Sequence, residues 1–499
     1  MIAMRIKTEY LRGVALLSEF AINPVAFLEK MALKLPQYSG ILAALKHALT
    51  SLVSAELREL LIIRDFDAAL RITPRWNPIL ASWLKREIRE LERPVLPSIP
   101  QAGLSRRVLY LATNSWPYTN SGYALRTQKV AATLHAQGLD IIVVTRLGYP
   151  FVVGKRVNEH DESIDGVQYR RMVTFWGQLT STARFERAAQ QLERVARETS
   201  ASEILCTTDF RNAQLASYVA ERLGIPWTYE VRGEAHNTWL STLPEPLAVR
   251  ARRGLYYSQA QRLEREAVCA ARGVAFISKQ AELFEWAKTR ALAPMWVPNG
   301  VDEAVFEFAT STAQAQSKVG IPKGIYVGAI SSVVPYEGLD ILIRAVPRLP
   351  REVSVLIVGG GTALNDLVKL AFELGVRDRV VFAGPRVQAE ILWWYACLEV
   401  FVMPRRDLEV TRNVTPVKGL TAQALGIPVV ASEIPALREV TDGTAFYFAP
   451  GDVEGLASAI QIALESDGAD GLAAARARVW SSTVNPLKHH FSKNSTPSL

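Results

Sequence analysis

Residues 414–432 read VTPVKGLTAQALGIPVVAS, shortly after Pro404-Arg405-Arg406. Val429 to Ser432 is a short apolar strand. Gly426-Ile427-Pro428 ends the helix before it, and Pro416 suits that helix's first turn. Arg405, Arg406 and Lys418 crowd the junction between the preceding strand and this helix. A helix N-terminus with fixed cations beside it suits a diphosphate, because unpaired N–H groups and the helix dipole both favour negative charge. A solvated basic loop before an ordinary helix accounts for the same residues without a ligand.

The same strand–helix unit recurs outward. KGIYVGAI, a helix from Leu339, VSVLIVGGG, RVVFAGP and EVFVMPRR come before it, with helices between them. Short apolar strands alternating with helices predict a parallel sheet covered on both faces. Residues 299–480 are therefore expected to form one doubly wound domain, with a hinge at Val297–Val301, where VPNGV carries turn chemistry. Upstream, RRVLYLAT, KVAATLHAQG, DIIVVTR, ASEILCTTDF, PWTYEVRG and RGVAFISK predict a second such domain over 106–298. Ligands in these folds bind outside the carboxyl ends of the strands, so two facing domains imply a cleft between them.

Residues 1–95 show helical spacing, divided by Pro24, Pro36, Pro74 and Pro78. This α-helical N-terminal extension is either a cap on the next domain or a face for a membrane or partner. Residues 96–105, inside the proline-rich RPVLPSIPQAGLS, read as a linker, and 481–499 as a flexible tail.

The chain has 499 residues, 49% of them hydrophobic, which excludes wholesale disorder and calls for more than one core. A net charge of +8 suits an anionic ligand or surface. No zinc-finger spacing or RNA-binding signature points to nucleic acid. Cys206, Cys269 and Cys397 are no disulfide framework and suit a reducing compartment. No apolar run approaches the ~20 residues that span a bilayer. The expectation is a cytoplasmic protein, with or without peripheral contact at the inner face of the membrane through residues 1–95. Asp65-Phe66-Asp67 imitates a metal-binding DxD motif but lies in the extension. His489-His490 lacks further ligands nearby, so no metal site is expected. Val358-Gly359-Gly360-Gly361 follows a strand, yet Leu364 breaks the dinucleotide fingerprint.

Taken in order, TNSGYALRTQKVAATLHAQGLDIIVVTR, YEVRG, AFISK, VPNGVD, YEGLDILIRA, LIVGGG, GVRDRVVFAGP, VTPVK and the ALGIPVVAS–REVTDG run resemble a GT-B glycosyltransferase of the large retaining family 4. The resemblance covers residues 105 to about 480 and is nearest to the branch with YEGLD and TP-x-K signatures. It implies two Rossmann-like domains facing a cleft. It also implies transfer of a sugar from a UDP- or GDP-sugar to a glycan, lipid-linked or small-molecule acceptor, with no cofactor, in cell-envelope or exopolysaccharide synthesis.

The resemblance further implies catalytic roles for Arg232, Arg406 and Lys418. Donor contacts would come from Ser121, Gly122, Gly384, Pro385, Arg386, Arg405, Thr415 and Thr421. Tyr123, Arg126, Glu230 and His236 would lie on the acceptor side. For Arg232 a structural ion pair with Glu230 or Glu234 is the other reading. The chain also departs from the family. Thr421 and Asn413 stand where relatives carry paired glutamates, and Ala329 and Glu337 fall where a phosphate-loop arginine and lysine are usual. A glycosyltransferase-like subunit or scaffold with impaired catalysis is therefore the alternative.

Overall fold

The computed structural model describes residues 54–75, 77–99, 107–119, 121–155, 161–173, 181–413 and 415–492. Most of the expected N-terminal extension, Asn120, Val414 and residues 100–105 and 493–499 lie outside these. The chain divides into two compact units. The first holds residues 1–275, 286–295 and 487–499, and the second 276–285 and 296–486.

In the first unit an eight-stranded sheet is built from β1 (Arg107–Ala112), β2 (Asp140–Thr145), β3 (Asp161–Ile164), β4 (Val167–Arg171), β5 (Glu203–Thr207), β6 (Trp227–Val231), β7 (Val274–Phe276) and β8 (Met295–Trp296). Its spatial order is β3-β4-β2-β1-β5-β6-β7-β8. β1 pairs in parallel with both β2 and β5, and only the β3–β4 hairpin is antiparallel among the registered pairs. Strand order reverses between β1 and β5. There Asn212 Nδ2 donates to Thr113 Oγ1 at 2.9 Å and ties the two following loops together.

The described part of the extension forms helices Ala55–Ile62, Phe66–Ile72 and Pro78–Glu92, capped by the side chains of Ser54, Asp65 and Asn77. Pro78 is the first residue of its helix, where a missing N–H costs nothing. Asp65 and Asp67, the imitation metal motif, serve locally as helix cap and as ion-pair partner of Arg71. These helices pack on the first unit, with Leu57, Leu84 and Leu91 buried and Gln214 Nε2 donating to the Glu90 and Arg93 carbonyls at 3.2 and 2.7 Å.

Two expectations need correction. Residues 96–99 are not a free linker: Leu96 N–H donates to Ser217 Oγ at 3.1 Å and Trp227 N–H to Ser98 Oγ at 2.9 Å. Nor is the chain end frayed as far as Ser492, because Asn485–Ser492 is helical with Leu487 and Phe491 buried. His490 Nε2 lies 2.9 Å from Thr228 Oγ1. A Cβ on Gly273 would stand 2.4 Å from the His490 ring, so that helix needs a glycine beneath it.

The second unit carries β9 (Ile325–Ile330), β10 (Val353–Val358), β11 (Val380–Gly384), β12 (Val400–Met403), β13 (Val429–Ser432) and β14 (Phe446–Phe448). The order is β11-β10-β9-β12-β13-β14, with every neighbouring pair parallel. The continuous apolar runs follow from burial on both faces. Val355, Ile357, Val400 and Val402 enter one core, while Leu356, Val358, Phe401 and Met403 alternate into the other. Strand order reverses between β9 and β12, the switch point at whose carboxyl side such sheets bind ligands. The glycines after β10 serve packing: a Cβ on Gly359 (φ 141°) would fall 1.8 Å from the Ser331 carbonyl oxygen.

Candidate functional site

The loops leaving β9 and β12 meet at the switch point of the second sheet. Gly338 (φ 69°) makes this approach possible, because a Cβ there would lie 1.9 Å from the Pro404 oxygen. The turn Pro335–Glu337 consequently presents Glu337 to Arg405. Arg405 Nη2 and Nε donate to the two carboxylate oxygens at 2.8 and 3.1 Å, both side chains being buried. Lys418 Nζ reaches Glu337 Oε1 at 3.5 Å, with its side chain 31% exposed. Arg406 turns outward and pairs with Asp340 Oδ2 at 2.6 Å, anchored also by donation from Nε to the Pro335 carbonyl at 3.2 Å.

Three cations thus face two carboxylates. Burial alone would raise the Glu337 pKa, but the charges of Arg405 and Lys418 outweigh it and hold the group ionised below the usual carboxylate range. Burial lowers the Lys418 pKa, and the Arg405 charge adds to that, against the pull of Glu337. Lys418 is the surplus positive charge, set where an incoming anion would relieve its desolvation.

The helix carrying Lys418 spans Lys418–Ala424, beginning two residues later than Pro416 suggested. At seven residues it is too short for its N-terminus to count as an anion site, so the charge comes from side chains. Thr415 is buried; its carbonyl accepts from Asn299 Nδ2 at 3.2 Å, and its hydroxyl has no partner among the described residues. Thr421 sits half-buried one turn into the helix, its hydroxyl 3.5 Å from the Val417 carbonyl. Gly384 (φ 73°) closes β11 and its carbonyl accepts from Gly359 N–H at 3.0 Å. Next to Pro385, Arg386 donates to the Ala383 carbonyl at 2.7 Å and lies over the Trp394 ring at 4.5 Å.

In the first unit the residues form a different kind of cluster. Arg232 Nε and Nη2 donate to Glu230 Oε2 at 3.0 and 2.8 Å. Nη1 donates to the Tyr123 carbonyl and to Thr127 Oγ1, each at 2.8 Å, and Nη2 also to the Tyr110 hydroxyl. All five guanidinium N–H groups are used inside the protein, and the ion pair with Glu230 is the one formed. Arg126 Nε holds the other Glu230 oxygen at 2.8 Å. Burial would raise the Glu230 pKa, but the two guanidiniums lower it to about 2.

Ser121 caps the helix Gly122–Ala136 by accepting from Ala124 N–H at 3.3 Å, while Tyr123 is half exposed. His236 is buried with its ring edge-on to Tyr257 at 5.1 Å. Arg126, Glu230 and His236, expected on the acceptor side, are therefore core groups, and Tyr123 is the exposed member of that set.

Sequence reasoning missed the parts played by Glu337, Asp340 and Tyr110. Glu337 was visible as an acid in a phosphate-loop position, a charge reversal that could have signalled a cation waiting opposite it. Tyr110 carried no such sign inside an apolar strand.

Two family models match in succession: one described as a glycosyl transferase 4-like domain over residues 121–295, and one as glycosyl transferases group 1 over 322–466. The chain belongs to the group 1 glycosyltransferases of the GT-B fold. The GDP-mannose-dependent alpha-(1-6)-phosphatidylinositol monomannoside mannosyltransferase of Mycolicibacterium smegmatis is 34% identical over 172 residues, 33% of this chain and 45% of the relative. The D-inositol 3-phosphate glycosyltransferase of the same organism is 32% identical over 207 residues, 39% of this chain and 46% of the relative. The chain thus matches less than half the length of these curated relatives. Sucrose-phosphate synthase from Thermosynechococcus elongatus superposes with a TM-score of 0.60 at 18% identity, over 77% of this chain and 98% of that one. Anabaena HepE in complex with UDP and glucose gives 0.57 at 18% identity, with the same coverages. At such identities the likeness is one of fold.

Proposed function

We propose that this chain is a retaining glycosyltransferase that moves a sugar from a nucleoside-diphosphate sugar to a hydroxyl of a glycan, lipid-linked or small-molecule acceptor, in cell-envelope or exopolysaccharide synthesis. The observation that carries this reading is the surplus cation at the second sheet's switch point. Lys418 shares a carboxylate already held by Arg405. As the glycosidic bond to the donor breaks, negative charge builds on the leaving diphosphate. Lys418 and Arg406 meet that charge, and Arg405 keeps Glu337 from repelling it. One well-aimed charged donor in such a site is worth on the order of 3 kcal/mol in the transition state. The leaving phosphate takes the acceptor's proton on the same face of the sugar, which gives retention without a pair of carboxylates. A curated relative named as GDP-mannose-dependent supports the donor class.

Pro385 and Arg386 are assigned to the base, Thr415 and Thr421 to the sugar and ribose. The Thr415 hydroxyl, buried and without a partner among the described residues, supports its part. Arg232 acts by holding the β6 loop in place. The absent glutamate at Thr421 favours a second reading, a protein that keeps the fold without the chemistry. Thermal unfolding with UDP, GDP, ADP and dTDP separates the two. An enzyme gains stability with at least one nucleotide, and Lys418→Ala and Arg406→Ala remove the gain. Indifference to all four nucleotides defeats the proposal.

A further inference from the structure

Arg64 occupies the turn between helices Ala55–Ile62 and Phe66–Ile72 in a left-handed conformation, φ 55°, that disfavours any residue but glycine. Phe66 beside it packs edge-on to Tyr256, ring centres 6.4 Å apart. The Arg64 guanidinium carbon lies 4.5 Å from the centre of the Tyr256 ring and 4.8 Å from that of Trp239. Arg211 approaches the same tyrosine from 5.8 Å and pairs with Asp209 at 2.9 Å. Arg64 has no carboxylate within ion-pair distance among the described residues. Glu87, whose charge it feels weakly, accepts from Ser181 Oγ at 2.8 Å and is itself pushed toward the protonated form by burial. Burial, with the like charge of Arg211, presses against the charge on Arg64.

The cluster's place matters as much as its charge. Asp209 and Arg211 follow β5, one of the two strands at which the first sheet reverses order, and Trp239 lies on helix Ala235–Leu240, the first after β6. Arg64 and Arg211 each also hydrogen-bond Tyr256, and Arg211 gives a further N–H to Asp209. With five N–H groups apiece, the two guanidiniums carry more donors than these contacts use, and those suit an oxyanion.

We propose that Arg64, lying over Tyr256 and Trp239, and Arg211, beside the same tyrosine, form a subsite for a phosphate ester carried by the acceptor. The helical extension is then a wall of the acceptor site as well as a cap. The word acceptor rests on the glycosyltransferase reading; the phosphate site does not depend on it. The phosphate arrives on a soluble sugar phosphate or on a phospholipid headgroup, and both present the same anion.

The test titrates the full chain with inorganic phosphate, glucose 6-phosphate and uncharged glucose, and floats it with phosphatidylcholine vesicles with and without phosphatidylinositol. Arg64→Gln should weaken the phosphate-ester response roughly tenfold or more, and Arg64→Lys should retain part of it. Should Arg64→Gln fail to fold, Arg211→Gln, at an exposed residue, serves in its place. Equal binding by wild type and the Arg64 variant overturns the proposal, as does no response to any phosphate probe. Nucleoside diphosphate binding measured on the same samples tells failure of the donor reading apart from failure of this one.

Discussion

Glu337→Gln isolates the arrangement on which the donor site depends. The carboxylate is buried and takes two hydrogen bonds from Arg405, at 2.8 and 3.1 Å, and the Lys418 charge at 3.5 Å. Glutamine keeps one oxygen for Arg405 but removes the negative charge, leaving a buried guanidinium uncompensated. Breaking a buried pair from one side costs roughly 3–5 kcal/mol. The retained hydrogen bond puts the expected loss at the lower end, about 3 kcal/mol, or roughly 6–12 °C in Tm for a domain of this size. The effect has a pH signature. Because the folded pKa lies below the unfolded one, the folded protein binds this proton less readily, so the stabilisation is present above the ordinary carboxylate range and is lost as pH falls through the folded value. The gap in Tm between wild type and variant should hold steady from neutral pH to about 5 and shrink below roughly pH 4. Scanning calorimetry of both proteins across that range makes the measurement. A Tm drop under about 2 °C at neutral pH, or a gap that widens on acidification, would refute the reasoning.

Other substitutions probe neighbouring claims. Lys418→Met should leave Tm unchanged or raise it, because burial and Arg405 work against the native charge, while stabilisation by a nucleoside diphosphate disappears; dye-monitored unfolding with and without nucleotide reads both. Arg232→Met leaves Glu230 with Arg126 as its only paired cation among these groups and should cost about 3 kcal/mol in denaturant unfolding, the lower end for a broken buried pair. Arg232→Lys should recover only part, since one ammonium cannot replace five fixed donors. Gly338→Ala would put a methyl 1.9 Å from the Pro404 oxygen in a left-handed turn. It should lower Tm by about 4 °C or more and weaken nucleotide binding together, because it parts Glu337 from Arg405.

Much of the fold was legible because its signals are local. Runs such as VSVLIV and EVFVM declare strands buried on both faces, and the structure alternates their side chains between two cores. The helix before Val429 was legible as well, but its start was not. Pro416 suited a first turn, yet the helix opens at Lys418, which makes the site one of side-chain charge rather than of backbone dipole. Residues 96–99 looked like a linker because proline-rich composition says nothing of the Ser217 and Trp227 partners that take their hydrogen bonds. The end of the chain looked frayed for the same reason, since its helix is held through His490 by Thr228, 262 positions away.

Residue order alone determined that this protein has two parallel α/β units and that Arg405, Arg406 and Lys418 stand near one strand end. Apolar periodicity and turn chemistry act between residues a few positions apart. The tertiary structure alone decided what those charges do. Glu337 lies 68 positions from Arg405, and Tyr110 lies 122 from Arg232. Whether an arginine faces a ligand or a buried carboxylate depends on which chain segments the sheet order sets side by side. Burial then makes such pairings costly to break from one side, and no local pattern records them.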